Sequence, residues 1–500
     1  MEKKKNGLLY ASANDGVEYR KVKSWELVLG LSAKMSATLF YILMAYASMI
    51  ANQGYGIATV TAGLVITGCR IFDGVSDALI AAVFEKINPK KGKVRVFLLV
   101  GWAITIAATF MLYNWCANKA TGAVGFMLFL CSYVIFIIGY TFTNMGTNTA
   151  MIVITNDPAQ RSMTGFISTA YSYAIPLLSS NIISFVILPK YNDIIATPML
   201  TEMAVWYAIL SLIFILMSCY GLRNVDVRET FQLVADRQKS KVSFRDMWNV
   251  LSKNRQVQLY MLTAVSDKLA QQTTSQSVVN TMMAGILIGS YMASTMVNNF
   301  TTITGLVCAF GCGVYVSKMG AKSATKIFSW ISIVIAGVII VYCFLLGGPN
   351  GMNKLSVFGA PVIIYAVLMI IKSGSQMALT VAEGIMRADV VDYECQRSGK
   401  YMPSVVVGVN TFIDKMISSF GATIALVCIS FVGYANSTPQ KGDAATWPIF
   451  WMTMFLMFGF PILGWILNII AMKFYKLDKA EMVNVQKSIA EMKAAAKAGK

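Results

Sequence analysis

Three ionisable residues, Arg70, Asp73 and Asp77, stand in a stretch that is otherwise apolar enough for a membrane span. At 100° per residue they fall on one face of a helix. Ionisable groups at membrane depth are costly and usually face a cavity or a partner. Two carboxylates one turn apart repel each other in a medium of low dielectric, and a bound cation, a proton or the Arg70 guanidinium relieves that repulsion. An Arg70–Asp73 bridge that only ties helices together is the plainer alternative, but the second carboxylate exceeds what such a bridge needs. A second band holds Asn410, Thr411, Asp414 and Lys415. Asn410 and Asp414 share one helical stripe, Thr411 and Lys415 the next. Such a band can hydrogen-bond a polyhydroxy ligand or act as glue between helices. A third stretch, from Tyr140 through Thr141 and Asn144 to Asn148, is neutral and dense in hydroxyls and amides. An aromatic ring beside hydrogen-bonding groups is what a sugar site needs. Lys34, Lys268 beside Asp267, and Lys372 are the other cations inside apolar blocks.

The elements that carry these residues are long apolar blocks. Of 500 residues, 56% are hydrophobic and 13% charged, about half the charged share of a soluble protein. About twelve blocks are long enough to span a bilayer as helices. They lie near 27–51, 56–84, 96–115, 123–153, 163–188, 201–222, 256–282, 287–317, 327–347, 355–386, 403–434 and 447–473. They are too long and too apolar for barrel strands. The expected fold is therefore an all-α membrane protein of twelve transmembrane helices in two six-helix bundles. The divisions are a cytoplasmic N-terminus at 1–26, bundles at 27–222 and 256–473, a central cytoplasmic loop at 223–255 and a cytoplasmic tail at 474–500. Within the central loop Phe244, Met247, Trp248 and Leu251 have the spacing of a short helix lying on the membrane face.

Of the 42 Lys and Arg, 33 fall in the termini and in alternate loops, four (Lys119, Lys190, Lys354, Lys441) in the opposite loops, and five within spans. By the positive-inside rule both termini are cytoplasmic. The net charge of +18 is thus mostly a topology signal, and its scatter over short loops argues against nucleic acid as a partner. The polar N-terminus has no secretory-signal pattern. The chain has no histidine, which excludes a histidine proton relay, and its nine cysteines have no CxxC spacing. Enzyme chemistry finds no support, and no GxxxxGK[ST] phosphate loop is present to power transport with a nucleotide.

Two segments then carry a resemblance. RIFDGVSDALIAAVFEKINPKKGKVR resembles the second-span signature of the glycoside–pentoside–hexuronide:cation symporters, a branch of the major facilitator superfamily. ADVVDYECQRSGKYMPSVVVGVNTFIDK resembles that family's segment from the end of the tenth span into the eleventh, and the order of segments matches over essentially the whole chain. The resemblance implies a monomeric cell-membrane symporter that couples sugar entry to sodium, lithium or protons and needs no other cofactor. It places the cation on Asp73 and Asp77 with Thr141 and Asn144. It places sugar contacts on Lys34, Tyr140, Asn144, Asn148, Asn410, Thr411 and Lys415, with Arg70 beside them. Three departures bear on the substrate. Where the melibiose permease has a sugar-gripping aspartate this chain has Met35, its fourth-span aspartate is Asn144, and its fifth-span arginine falls on Thr169. These changes and the mid-membrane cations point to an anionic sugar such as a hexuronate. Lys93 and Arg95 after the second span, and Asp389 and Asp392 after the tenth, are expected at the cytoplasmic mouth. Opposite charges there could latch the mouth shut, each exposed pair being worth about 1 kcal/mol or less. A lipid-moving or non-transporting sensor relative is the alternative reading.

Overall fold

The apolar blocks fold as helices because each satisfies its own backbone hydrogen bonds, the only open-ended arrangement that lipid tolerates. The fold is that of a computed structural model, which describes residues 9–11, 18–86, 92–155, 157–227, 251–398 and 413–498. The predicted helix at Phe244–Trp248 lies outside them, as do Asn410 and Thr411. The first half holds α1 (Ser24–Ala45), α2 (Thr59–Lys86), α3 (Lys93–Trp115), α4 (Gly122–Val153), α5 (Met163–Tyr191) and α6 (Thr197–Gly221). The second holds α7 (Arg255–Thr274), α8 (Tyr291–Met319), α9 (Ala321–Leu345), α10 (Ala360–Ser398), α11 (Ile413–Ser430) and α12 (Trp447–Phe474), followed by α13 (Lys479–Ala498). The one departure from helix among the described residues is a hairpin in which Leu9–Ala11 pairs antiparallel with Glu18–Arg20.

Among the described residues nine helices are long and apolar enough to cross a membrane, or ten if the bent pair Ser277–Leu287 and Tyr291–Gly305 is one span. Besides the tail helix α13, the two long helices outside that set are α2 and α7. Both carry polar load in mid-helix: Arg70, Asp73 and Asp77 in α2, and Asp267, Lys268, Gln271 and Gln272 in α7. With them the helix count reaches the expected twelve. Large apolar side chains such as Leu345 and Val307 point outward, 74% and 67% exposed, as a lipid-facing surface requires.

The chain divides into two compact units, residues 1–240 with 436–438, and residues 241–435 with 439–500. Two features of the first unit position its polar residues. α3 and α4 meet through small residues. A Cβ on Gly101 would lie 2.6 Å from the Thr143 nitrogen, and one on Gly139 would lie 2.5 Å from the Thr105 nitrogen. Gly101 and Thr105, and Gly139 and Thr143, are each four apart, the small-xxx-small pattern of close membrane-helix contact. The second feature is Asp226, fully buried after α6. Its carboxylate accepts from the backbone N–H groups of Lys93, Val94 and Arg95 at 2.9, 3.1 and 2.8 Å. These are the donors that an α-helix leaves unsatisfied at its start. Gly92 precedes them with φ +105°, and a Cβ there would collide with the Asp226 carboxylate.

Candidate functional site

The centre of unit 1 is Asp73 on α2, buried at 4% exposure. The Thr141 hydroxyl of α4 lies 2.5 Å from Asp73 Oδ1 and 3.0 Å from the Ile137 carbonyl oxygen. A hydroxyl has one proton and cannot donate to both at once. With Asp73 ionised, the hydroxyl donates to the carboxylate. With Asp73 protonated, the carboxyl donates to Thr141 Oγ1 and the hydroxyl turns to Ile137. The same geometry therefore accommodates either charge state. Asp77, one turn on, is half-buried.

Arg70 completes the α2 face. Its Cζ lies 5.4 Å from the centroid of the Tyr41 ring, within cation–π range. Tyr133, Tyr41, Tyr140 and Asp73 are its electrostatic neighbours. The buried Tyr133 hydroxyl faces the guanidinium without forming a well-shaped hydrogen bond. Among the described residues Arg70 enters no ion pair, so the Arg70–Asp73 bridge that the spacing allows is not formed. On α4, Tyr140, Asn144 and Asn148 follow at intervals of four and share a stripe, buried, half-buried and exposed in turn. The Asn144 and Asn148 amides make no hydrogen bond among the described residues, which leaves them available to a ligand. Lys34 on α1 is half-buried, and Thr169 on α5 bonds the Gly165 carbonyl at 2.9 Å.

Unit 2 holds its own charge cluster. Lys415 and Asp414 are half-buried on α11. Asp414 has Lys268, Arg387 and Lys415 as electrostatic neighbours. Asp267 accepts from Asn468 Nδ2 at 3.0 Å and has Glu383 as an electrostatic neighbour. Arg387 Nε donates to the Tyr260 hydroxyl at 2.9 Å. Lys372 is buried elsewhere in the unit, its ammonium 5.0 Å from the centre of the Phe458 ring. Of the expected latch, Arg95 Nε pairs with Asp226 at 3.3 Å, Lys93 Nζ lies 4.4 Å from the Phe84 ring centre, and Asp392 accepts from Gln486 Nε2 at 2.7 Å. Asp389 is half-buried on α10. Arg95, Lys93 and Asp392 therefore each have a neighbour inside their own unit. Sequence reasoning did not single out Asp226, Glu383, Tyr133, Tyr41 or Asn468. Glu383 and Asn468 lie in apolar spans, where their polarity alone is a signal.

The model of the MFS/sugar transport protein family matches residues 28–479. The chain belongs to that family. It is a multi-pass membrane transporter of the major facilitator type, not an enzyme. Among relatives, "Putative glycoside/cation symporter YagG" of Escherichia coli (strain K12) is 22% identical over 92% of each chain. The "Isoprimeverose transporter" of Lactiplantibacillus pentosus is 21% identical over 88% of this chain and 86% of its own. Among solved structures, the nucleoside transporter NupG superposes with TM-score 0.54 at 13% identity, over 90% of this chain and 100% of that one. A bacterial homologue of the iron transporter ferroportin does so with TM-score 0.56 at 13% identity, over 89% and 98%. At such identities these structures bear on the fold alone, which is the all-helical transporter fold expected from the sequence.

Proposed function

We propose that this family member is a secondary active transporter that carries a sugar, glycoside or hexuronide across the cell membrane together with a sodium ion or proton, by alternating access and with both termini cytoplasmic. The observation that carries the reading is buried Asp73, bonded to Thr141 and set one turn from Asp77 on a helix where Arg70 is held by aromatic rings rather than by either acid. Two carboxylates one turn apart, one of them bonded to a neutral hydroxyl, are a place for a cation. Sodium is a hard ion that prefers oxygen ligands, and Asp73, Asp77, the Thr141 hydroxyl and the Asn144 amide oxygen supply them. A proton would instead sit on Asp73, with Thr141 changing its acceptor to Ile137. Tyr140 and Asn148, on the same α4 stripe as Asn144, offer the solute a ring face and an amide. Because Asn144 stands between the two sets, cation and solute affinity are coupled, and each raises the other by the same factor. The names of the relatives support the sugar and the cation. The +18 charge concentrated in alternate loops supports the orientation.

The test is uptake into membrane vesicles against a panel of labelled glycosides, pentosides and hexuronates, each with and without a sodium or proton gradient. Accumulation of one class that collapses with one gradient is expected. Equal uptake with and without both gradients would refute coupling.

A further inference from the structure

Where α7 begins and α12 ends, unit 2 has a cavity of about 630 Å³ lined by Lys253, Arg255, Lys322, Arg397, Lys473 and Lys476. One carboxylate, Asp478, stands on the same wall. Its Oδ1 is already occupied, accepting from the backbone N–H groups of Ala480 and Glu481 at 3.1 and 2.9 Å, where it caps α13. Of the six cations, Arg397 alone has an ion-pair partner among the described residues. Its Nε and one terminal nitrogen grip buried Glu394 at 2.9 and 2.8 Å. Asn254 Nδ2 holds the same carboxylate at 2.6 Å. That network fixes the guanidinium and leaves its other terminal nitrogen without a hydrogen bond. Arg255 is placed by a ring, its Cζ 5.6 Å from the centre of Phe474.

The positive-inside rule accounts for basic residues at one membrane face. It does not account for their gathering around one concavity. Like charges on low-dielectric walls reinforce one another's field and draw in an anion. The fixed Arg397 fork suits a tetrahedral oxyanion, which such forks bind with matching geometry. Phe474, 53% exposed, forms an apolar rim at the end of α12.

We propose that this cavity binds a phosphate-bearing anion, either the headgroup of an anionic phospholipid or a small soluble phosphate. The lining residues all belong to unit 2, and the proposal does not rest on the proposed transport activity.

The protein, purified in an uncharged detergent, is titrated calorimetrically with three probes: short-chain phosphatidylglycerol, inorganic phosphate and short-chain phosphatidylcholine. Phosphatidylglycerol binding without phosphate binding assigns a lipid headgroup, whereas binding of inorganic phosphate assigns a soluble ligand. Either result is expected to weaken with added salt. The triple variant Arg255→Gln/Lys473→Gln/Lys476→Gln should lose about a hundredfold in affinity, at about fivefold per basic residue. These three residues are exposed, so the variant should elute as the wild type does, and Lys473→Arg/Lys476→Arg should retain binding. Failure of both anions to bind, equal binding of phosphatidylcholine, or a triple variant as tight as the wild type would overturn the proposal.

Discussion

Thr141 is a neutral partner of Asp73 that can respond to its charge, and that makes it the sharper probe of the pair. Asp73→Asn should abolish gradient-driven uptake and leave solute binding measurable, because the amide keeps the shape and loses the charge. Thr141→Val keeps the volume, removes one cation ligand and deprives Asp73 of its donor. It should weaken cation activation about tenfold, the loss of one good hydrogen bond to a charged group being about 1.5 kcal/mol or more. Flux measured against cation concentration checks both, and wild-type coupling in Asp73→Asn would remove Asp73 from the mechanism. Asn144→Asp adds a third carboxylate beside the pair and should shift activation towards sodium, read as a lower half-saturating sodium concentration. Much of this site was legible. Arg70, Asp73 and Asp77 stand out because charges in an apolar span are conspicuous. Thr141 came from the family resemblance, since the periodicity of one helix is silent about what faces it from another. Tyr41 and Tyr133 were missed because aromatic residues in a span read as packing. The only hint was that Arg70 must have some partner, and a ring face had not been considered for it.

The helices deliver these side chains through two joints that spacing alone does not reveal. Thr141 stands between Gly139 and Thr143, the residues of α4 that press against α3. Anything that moves this contact therefore moves the Asp73 partner. Gly139→Leu places a branched side chain where a Cβ alone already meets the Thr105 backbone at 2.5 Å. It should lower the yield of folded protein and the thermal midpoint far more than Gly139→Ala does, with detergent-phase unfolding as the measurement. The second joint is Asp226. The stretch Arg223-Asn224-Val225-Asp226 was read as the opening of a charged loop, and topology gives no reason for an acid there. Its role is visible only once α6 brings it under the first turn of α3. Asp226→Ala leaves three backbone donors and the Arg95 guanidinium without their acceptor. The expected cost is about 2–4 kcal/mol, seen as a lower unfolding midpoint and a raised protease sensitivity of the α2–α3 connection. An unchanged midpoint would show that water replaces the carboxylate at no cost. The twelve spans themselves were readable from apolar length. Two of them, α2 and α7, carry charged and polar groups in mid-helix.

At the scale of the whole molecule the open matter is the charge of the solute. Lys34, Lys268, Lys372 and Lys415 raised the expectation of an anionic sugar. One of the four does not serve it, since Lys372 is spent over the Phe458 ring inside unit 2. The remaining unit 2 cluster has Lys268, Arg387 and Lys415 against Asp267, Glu383 and Asp414, which looks balanced. Asp267 and Glu383 are electrostatic neighbours, however. Two neighbouring carboxylates repel each other, and a proton on one of them would relieve that repulsion. With such a proton the cluster would carry one positive charge in excess. In unit 1 Lys34 and Arg70 offset Asp73 and Asp77, and a bound cation adds one more positive charge. A solute carboxylate would neutralise this surplus, and a neutral sugar would leave it in place. Hexuronates should therefore compete for uptake at least about tenfold better than the matching neutral hexosides, since an ion pair in a partly desolvated site is worth 1.4 kcal/mol or more. Lys415→Gln should erase most of that preference while sparing the cation dependence set in unit 1. Competition by neutral glycosides with none by uronates would mean that the charge is already neutralised within the protein, and the substrate would then be a neutral sugar.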